Sequence, residues 1–154
     1  MTRHPRRLIA ISICLAVIAT AGVAVFTARA EEPGQKSTFV LNLTSGQEDL
    51  HSVVMGLALA GHALDDGRRV VVFCNVRAPE LLRKDLPATT SYENEPPVPA
   101  MIADLVKRGA EIQVCPLCMR LLGVPPDNLI PEARVATRDS LFSRLGPQTI
   151  VFTY

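Results

Sequence analysis

From Ser37 onward the apolar positions alternate between two patterns. Short unbroken runs rich in β-favouring residues occupy Ser37–Leu43, Arg69–Cys74 and Glu111–Val114. Between them apolar residues recur at helical spacing. The run Arg69-Val70-Val71-Val72-Phe73-Cys74 is too apolar for a sheet wetted on one face, so it reads as a strand covered on both. Asp49–Asp66 reads as a helix that packs Val53, Val54, Leu57, Leu59, Ala60 and Leu64 and stops at Gly67. Pro99–Arg108 reads as another, with Met101, Ile102, Leu105 and Val106 inward and Gly109 at its end. Pro116–Leu122 fits a short helix with Pro at its first position and Gly123 just beyond its end.

Weaker signals fill the gaps. Arg77–Asp85 is expected to form one short helix, and Leu86–Pro97 a polar, Pro-containing loop long enough for a lid or a subunit contact. After Pro125-Pro126 come a faint strand at Arg134–Ala136, a short helix at Asp139–Leu145 and a closing strand at Thr149–Thr153. Strands alternating with helices define an α/β domain with a mostly parallel sheet of about five strands, covered on both faces. The pattern leaves the strand order open.

The first thirty residues follow another rule. Arg3, His4, Arg6 and Arg7 make a basic start, Leu8–Phe26 carries no charge, and Ala28-Arg29-Ala30 has the small-x-small form of a signal-peptidase site. Residues 1–30 are therefore expected to be a signal peptide, 31–36 a polar linker and 37–154 the folded domain. Left uncut, Leu8–Phe26 approaches the roughly 20 residues that span a bilayer and would act as an N-terminal anchor. Cys14 follows Ile13, not a small residue, and reads as part of the apolar segment rather than a lipid attachment site. The expected location is outside the cytoplasm, in the periplasm or its equivalent, with membrane contact only if the leader stays.

Removing the leader changes the charge. Of the 16 basic side chains four arginines fall in residues 1–30, which hold no acid, leaving 12 basic against 15 acidic and a balance of about −3. No basic patch interleaved with aromatics remains, which argues against a nucleic-acid partner. Three cysteines stay in the domain, Cys74, Cys115 and Cys118, and three cannot all pair within one chain.

In a parallel sheet the strand-to-helix turns gather outside the carboxyl ends of the strands, and ligands bind there. That edge collects Ser45–Glu48, Asn75 with Arg77, Cys115 with Cys118, and Thr137 with Arg138. In Cys115-Pro116-Leu117-Cys118 the first cysteine is expected at a helix start, where amides lower a thiol pKa from roughly 8.5. Cys118, one turn later, can resolve a modified Cys115 by forming a disulfide. One CxxC in an α/β setting signals redox or sulfur chemistry; structural zinc needs four ligands, and no second pair is present. Such thiol chemistry needs no cofactor. The alternatives are a Cu(I) site on Cys115, Cys118 and Met119 or Cys74, and a structural or assembly protein with an inert disulfide. Cys74 reads first as a core thiol and Met119 as a core gap-filler. Asn75 and Arg77 are candidates for holding a substrate anion. His51 and His62 lie on the first helix, His51 nearer the edge in question.

Phe39–Gly67, Val70–Arg77, Ile112–Cys115 with Met119–Val124, and Ser140–Phe152 together resemble the DsrE/DsrF-like family, which includes sulfur-relay subunits. The resemblance implies a flavodoxin-like α/β/α sandwich and ring-like homo- or hetero-oligomers, trimers or hexamers. It matches Cys115 to the cysteine that accepts persulfide sulfur in relay members, with sulfur donor and acceptor proteins or small thiols as partners. The relay members work in the cytoplasm and use a single cysteine. The leader and Cys118 set this chain apart, pointing to sulfur handling outside the cytoplasm rather than delivery to tRNA.

Overall fold

Five strands run parallel in one sheet: β1 Thr38–Leu43, β2 Arg69–Cys74, β3 Glu111–Val114, β4 Ala133–Val135 and β5 Ile150–Thr153. The structure is a computed structural model and describes residues 37–154. The leader, Cys14 and the 31–36 linker lie outside the described residues, within which no helix is long and apolar enough to cross a membrane. The strand order is β4-β3-β2-β1-β5. The helices are α1 Leu50–Asp65, α2 Val98–Lys107, α3 Pro116–Leu122 and α4 Arg138–Phe142.

This order fixes the layers. Steps from β1 to β2, β3 and β4 all move the same way across the sheet, so right-handed crossovers place α1, α2 and α3 on one face. The strands supply that face with Phe39, Leu41, Leu43, Val70, Val72, Cys74, Ile112 and Val114, which join Val53, Leu57, Val98, Ile102, Leu105 and Met119 in one buried cluster. Each fully buried Val, Leu or Ile is worth roughly 1.5–3 kcal/mol of transfer energy, so this layer carries most of the stability. The chain then returns from β4 at one edge to β5 at the other. It crosses the opposite face, where α4 docks.

That second face is thinner. Val40 and Val71 are buried on it, but Val151 and Phe142 stay exposed. Gln113, the buried polar residue of the described core, joins α4 to the sheet: its Nε2 donates to the Ser140 carbonyl at 3.1 Å, and Ser140 Oγ donates to its Oε1 at 3.1 Å. Thr137 and Ser140 close a capping box, with Ser140 N donating to Thr137 Oγ1 at 3.0 Å and Thr137 N to Ser140 Oγ at 2.9 Å.

Most element boundaries agree with the sequence pattern to within a few residues, and the left-handed glycines Gly67, Gly109 and Gly123 follow α1, α2 and α3. The segment expected as a helix over Arg77–Asp85 is a 3-10 helix at Ala78–Leu82. Two further 3-10 turns, Gln47–Asp49 and Pro126–Asn128, fall where the pattern gave loop. The Leu86–Pro97 loop packs over the start of α1, where Tyr92 stacks on His51 at 4.8 Å with 13° between the rings.

Gln113→Ala is expected to cost about 1–3 kcal/mol in urea unfolding, because the Ser140 groups lose their buried partner. Loss of α4 protection in hydrogen exchange, with α1 and α2 unaffected, would show that the cost falls on this layer.

Candidate functional site

The carboxyl ends of β2 and β3 are level. Cys115 N donates to the Cys74 carbonyl at 2.9 Å, so the turns leaving the two strands lie side by side. One turn is Cys115-Pro116-Leu117-Cys118 and the other Asn75-Val76-Arg77. Cys115 is the N-cap of α3, and its Sγ accepts from Cys118 N at 3.4 Å. Cys118 Sγ points toward the neighbouring turn and accepts from Val76 N at 3.2 Å. Both cysteines are free thiols and partly buried.

The two sulfurs experience different surroundings. Burial pushes the Cys115 thiol up, but the Cys118 N–H, the Cys118 thiol and the Leu117 N–H all favour its anion, and the net pKa falls below the ordinary thiol value. Cys118 moves the other way. Burial and its hydrogen bond to Cys115 raise it, the Val76 N–H opposes them, and the net pKa lies above the ordinary value. The thiolate therefore belongs first to Cys115.

The second turn is strained. Val76 has φ of 50°, a region where a β-branched side chain is an outlier. Its side chain is 55% exposed, so no core contact accounts for that conformation. The flanking bonds hold it: Asn75 N donates to the Leu43 carbonyl at 2.9 Å and Arg77 N to the Thr44 carbonyl at 3.0 Å. Gly46 completes the clamp. A Cβ there would stand 2.9 Å from both the Cβ and the carbonyl oxygen of Arg77, so only glycine lets the Thr44–Gly46 loop approach this closely.

The remaining candidates are distributed around this pair. Asn75 is beside it, its Nδ2 donating to Asn42 Oδ1 at 2.5 Å, and Asn42 Nδ2 donates on to Thr153 Oγ1 at 3.2 Å. Arg77 is at the edge, but its guanidinium engages Glu80 at 2.9 Å and Glu48 at 3.7 Å. His51 is occupied by Tyr92, and His62 lies 3.8 Å from Asp65 on the exposed side of α1. Met119 is 3% exposed inside the core. Cys74 is sealed beneath the site, and burial pushes its thiol up to about 12. A soft metal at this edge would therefore meet two thiols, and among the described residues no three His, Cys, Asp or Glu side chains converge. Exposed Leu117 and Leu121, one helical turn apart on α3, give the thiols an apolar border together with Val76.

Sequence reasoning missed Val76 and the role of Gly46. Thr44-Ser45-Gly46 is legible as a turn, and its glycine is the available signal. A valine between Asn75 and Arg77 gives no sign of a positive φ.

These features define a small α/β protein with a thiol pair set between adjacent strand-to-helix turns. The model of the DsrE/DsrF-like family matches residues 35–145, and the chain belongs to that family. Among solved structures it is similar to the ychN protein from E. coli, with 17% identity over 78% of this chain and 100% of that one and a TM-score of 0.62. The protein of unknown function MTH1491 from Methanobacterium thermoautotrophicum gives 15% identity, 77% and 100% coverage and a TM-score of 0.60. At such identities the likeness is one of fold. No curated protein sequence matches the chain.

Alkylation of the reduced protein near pH 6, read by peptide mass mapping, should label Cys115 ahead of Cys118. The preference should shrink as pH rises and both thiols ionise, and Cys74 should react only on unfolding. Val76→Asn, which tolerates a left-handed backbone, should raise stability by about 1 kcal/mol in denaturant titration.

Proposed function

We propose that the protein accepts sulfane sulfur on Cys115 and uses Cys118 as the resolving thiol. The observation that carries this reading is the pair of unequal sulfurs on one strand-to-helix turn, one favoured as an anion and the other kept protonated beside the Val76 amide of the adjoining turn. Family membership supports it, since the family is linked to sulfur relay.

The chemistry balances without a cofactor. The Cys115 thiolate attacks the outer sulfur of a donor persulfide, the donor S–S bond breaks, and the donor leaves as a thiolate. Cys115 now carries an S–SH group. An acceptor thiol can take the outer sulfur and restore Cys115. Alternatively, the Cys118 thiolate attacks Cys115 Sγ, the persulfide bond breaks, and hydrosulfide leaves. In that branch the sulfane sulfur gains the two electrons that the cysteines lose in forming a disulfide, and an external thiol reductant resets the site. Donor and acceptor are protein or small-molecule thiols that reach the sulfurs across the border of Val76, Leu117 and Leu121. The protein is proposed to work as an exported homo-oligomer, a trimer or hexamer.

Treatment of the reduced protein with a persulfide donor should add the mass of one sulfur. Cys115→Ser should lose that gain at least ten-fold, in keeping with removal of an activated nucleophile. Cys118→Ser should gain sulfur and hold it longer. Normal acceptance by Cys115→Ser would remove the proposal. N-terminal sequencing of protein from its native host should begin at Glu31; Met1 on soluble cytoplasmic protein would remove the export part.

A further inference from the structure

We propose that the backbone N–H of Val76 is a positioning group for Cys118 in the resolving step, fixing its sulfur at the edge between the two turns and stabilising its charge as it becomes the nucleophile. This rests on the persulfide reading of Cys115 and names a residue for its second step.

The turn itself supplies the case. Along the end of β2 successive backbone groups face alternate neighbours. The Cys74 carbonyl receives Cys115 N from the β3 side, and Asn75 N goes to Leu43 on the β1 side. Val76 N then returns to the β3 side, where it meets Cys118 Sγ at 3.2 Å, a short contact for a sulfur acceptor. The residue that carries this N–H has φ of 50°, a conformation that disfavours valine in particular. Backbone strain of this kind persists only where the surroundings over-determine it, and here both flanking amides, Gly46 and the Asn75–Asn42 contact do so.

A resolving thiol has two conflicting requirements. It must stay protonated while Cys115 takes sulfur and then lose its proton to attack. The groups that face Cys118 are Cys115 from its own helix and Val76 N–H from the neighbouring turn. Arg77 of that turn is held by Glu80 and Glu48, and Arg120 of α3 lines a separate groove with Val124 and Val135. Among the described residues no charged side chain is thus directed at Cys118, and the Val76 amide is the larger of the two backbone donors that favour its anion, the other being the amide of Cys118 itself. As Cys118 Sγ bonds to Cys115 Sγ its negative charge disappears, and the amide loses its strong acceptor.

The test follows the amide directly. In reduced, nitrogen-15-labelled protein carrying Cys115→Ser, the Val76 amide proton should shift downfield with pH at the midpoint of Cys118 alkylation. Cys118→Ser should lose the titration. A Val76 amide that ignores the ionisation of Cys118 would overturn the proposal without any altered backbone. Replacing the Asn75–Val76 amide by an ester deletes the N–H and weakens the Asn75 carbonyl, which accepts from Ala78 N at 2.9 Å. An ester at Ala78, which removes that second bond from its donor side, is the control. In the Val76 ester protein sulfide release, normalised to sulfur loading, should fall about ten-fold at neutral pH, the scale of one hydrogen bond to a charged group. Unchanged normalised release would also overturn it. Failure of the unaltered protein to load sulfur would instead strike the persulfide reading, while the amide titration still decides whether Val76 acts on Cys118.

Discussion

The hydrogen bond from Cys115 N to the Cys74 carbonyl, 2.9 Å long, is the contact on which the site depends. It is the last rung between β2 and β3 and sets the turns that follow them at the same height. Parallel strands in register must release their chains at one edge, so the sheet geometry, not any attraction between the turns, brings Val76 to Cys118. Beneath this rung Cys74, Val114 and Leu43 are almost wholly buried. The thiols therefore stand directly above the buried core.

Their positions on the turn give the two sulfurs different characters. Cys115 and Cys118 are three residues apart and similarly covered, yet Cys115 collects the Cys118 and Leu117 amides of its own helix while Cys118 accepts from the Val76 amide across the edge. A persulfide acceptor and its resolving thiol need this inequality, because equal thiols would compete for the same sulfur. The exposed side chains around them, Val76, Leu117 and Leu121, are apolar, whereas nearby Arg77 is engaged by Glu48 and Glu80. The field at the sulfurs is thus set by backbone amides and burial.

Much of the fold is written in the periodicity. The Val70–Phe73 run and the glycines after each helix mark their elements, and the strands and α1–α4 lie where the pattern puts them. Strand order is not legible there, because parallel pairing leaves no local mark on the chain; it decides that one face receives three helices and the other α4. At the site the CxxC and the carboxyl edge are legible from residue types alone. Glu80, three residues on, is a local neighbour of Arg77, but Glu48 is not legible as its partner, since it becomes a neighbour only once the turns meet. Met119 shows the same limit: its place between Cys118 and Arg120 offers a thioether next to a thiol, while the helix rotates it into the core. The positive φ of Val76 is imposed from outside by Leu43, Thr44 and Gly46, so no rule about valine could have found it.

The central claim is that sulfur arrives on Cys115 and no other residue. The most direct measurement is a rapid-quench experiment on the reduced protein. Brief exposure to a persulfide donor is followed by alkylation and peptide mass mapping to locate the added sulfur. The account predicts that at the earliest times the extra sulfur lies on Cys115, with Cys118 alkylated as a plain thiol and the Cys115–Cys118 disulfide appearing only afterwards. Sulfur found first on Cys118, or a disulfide that forms with no preceding persulfide on Cys115, would contradict it.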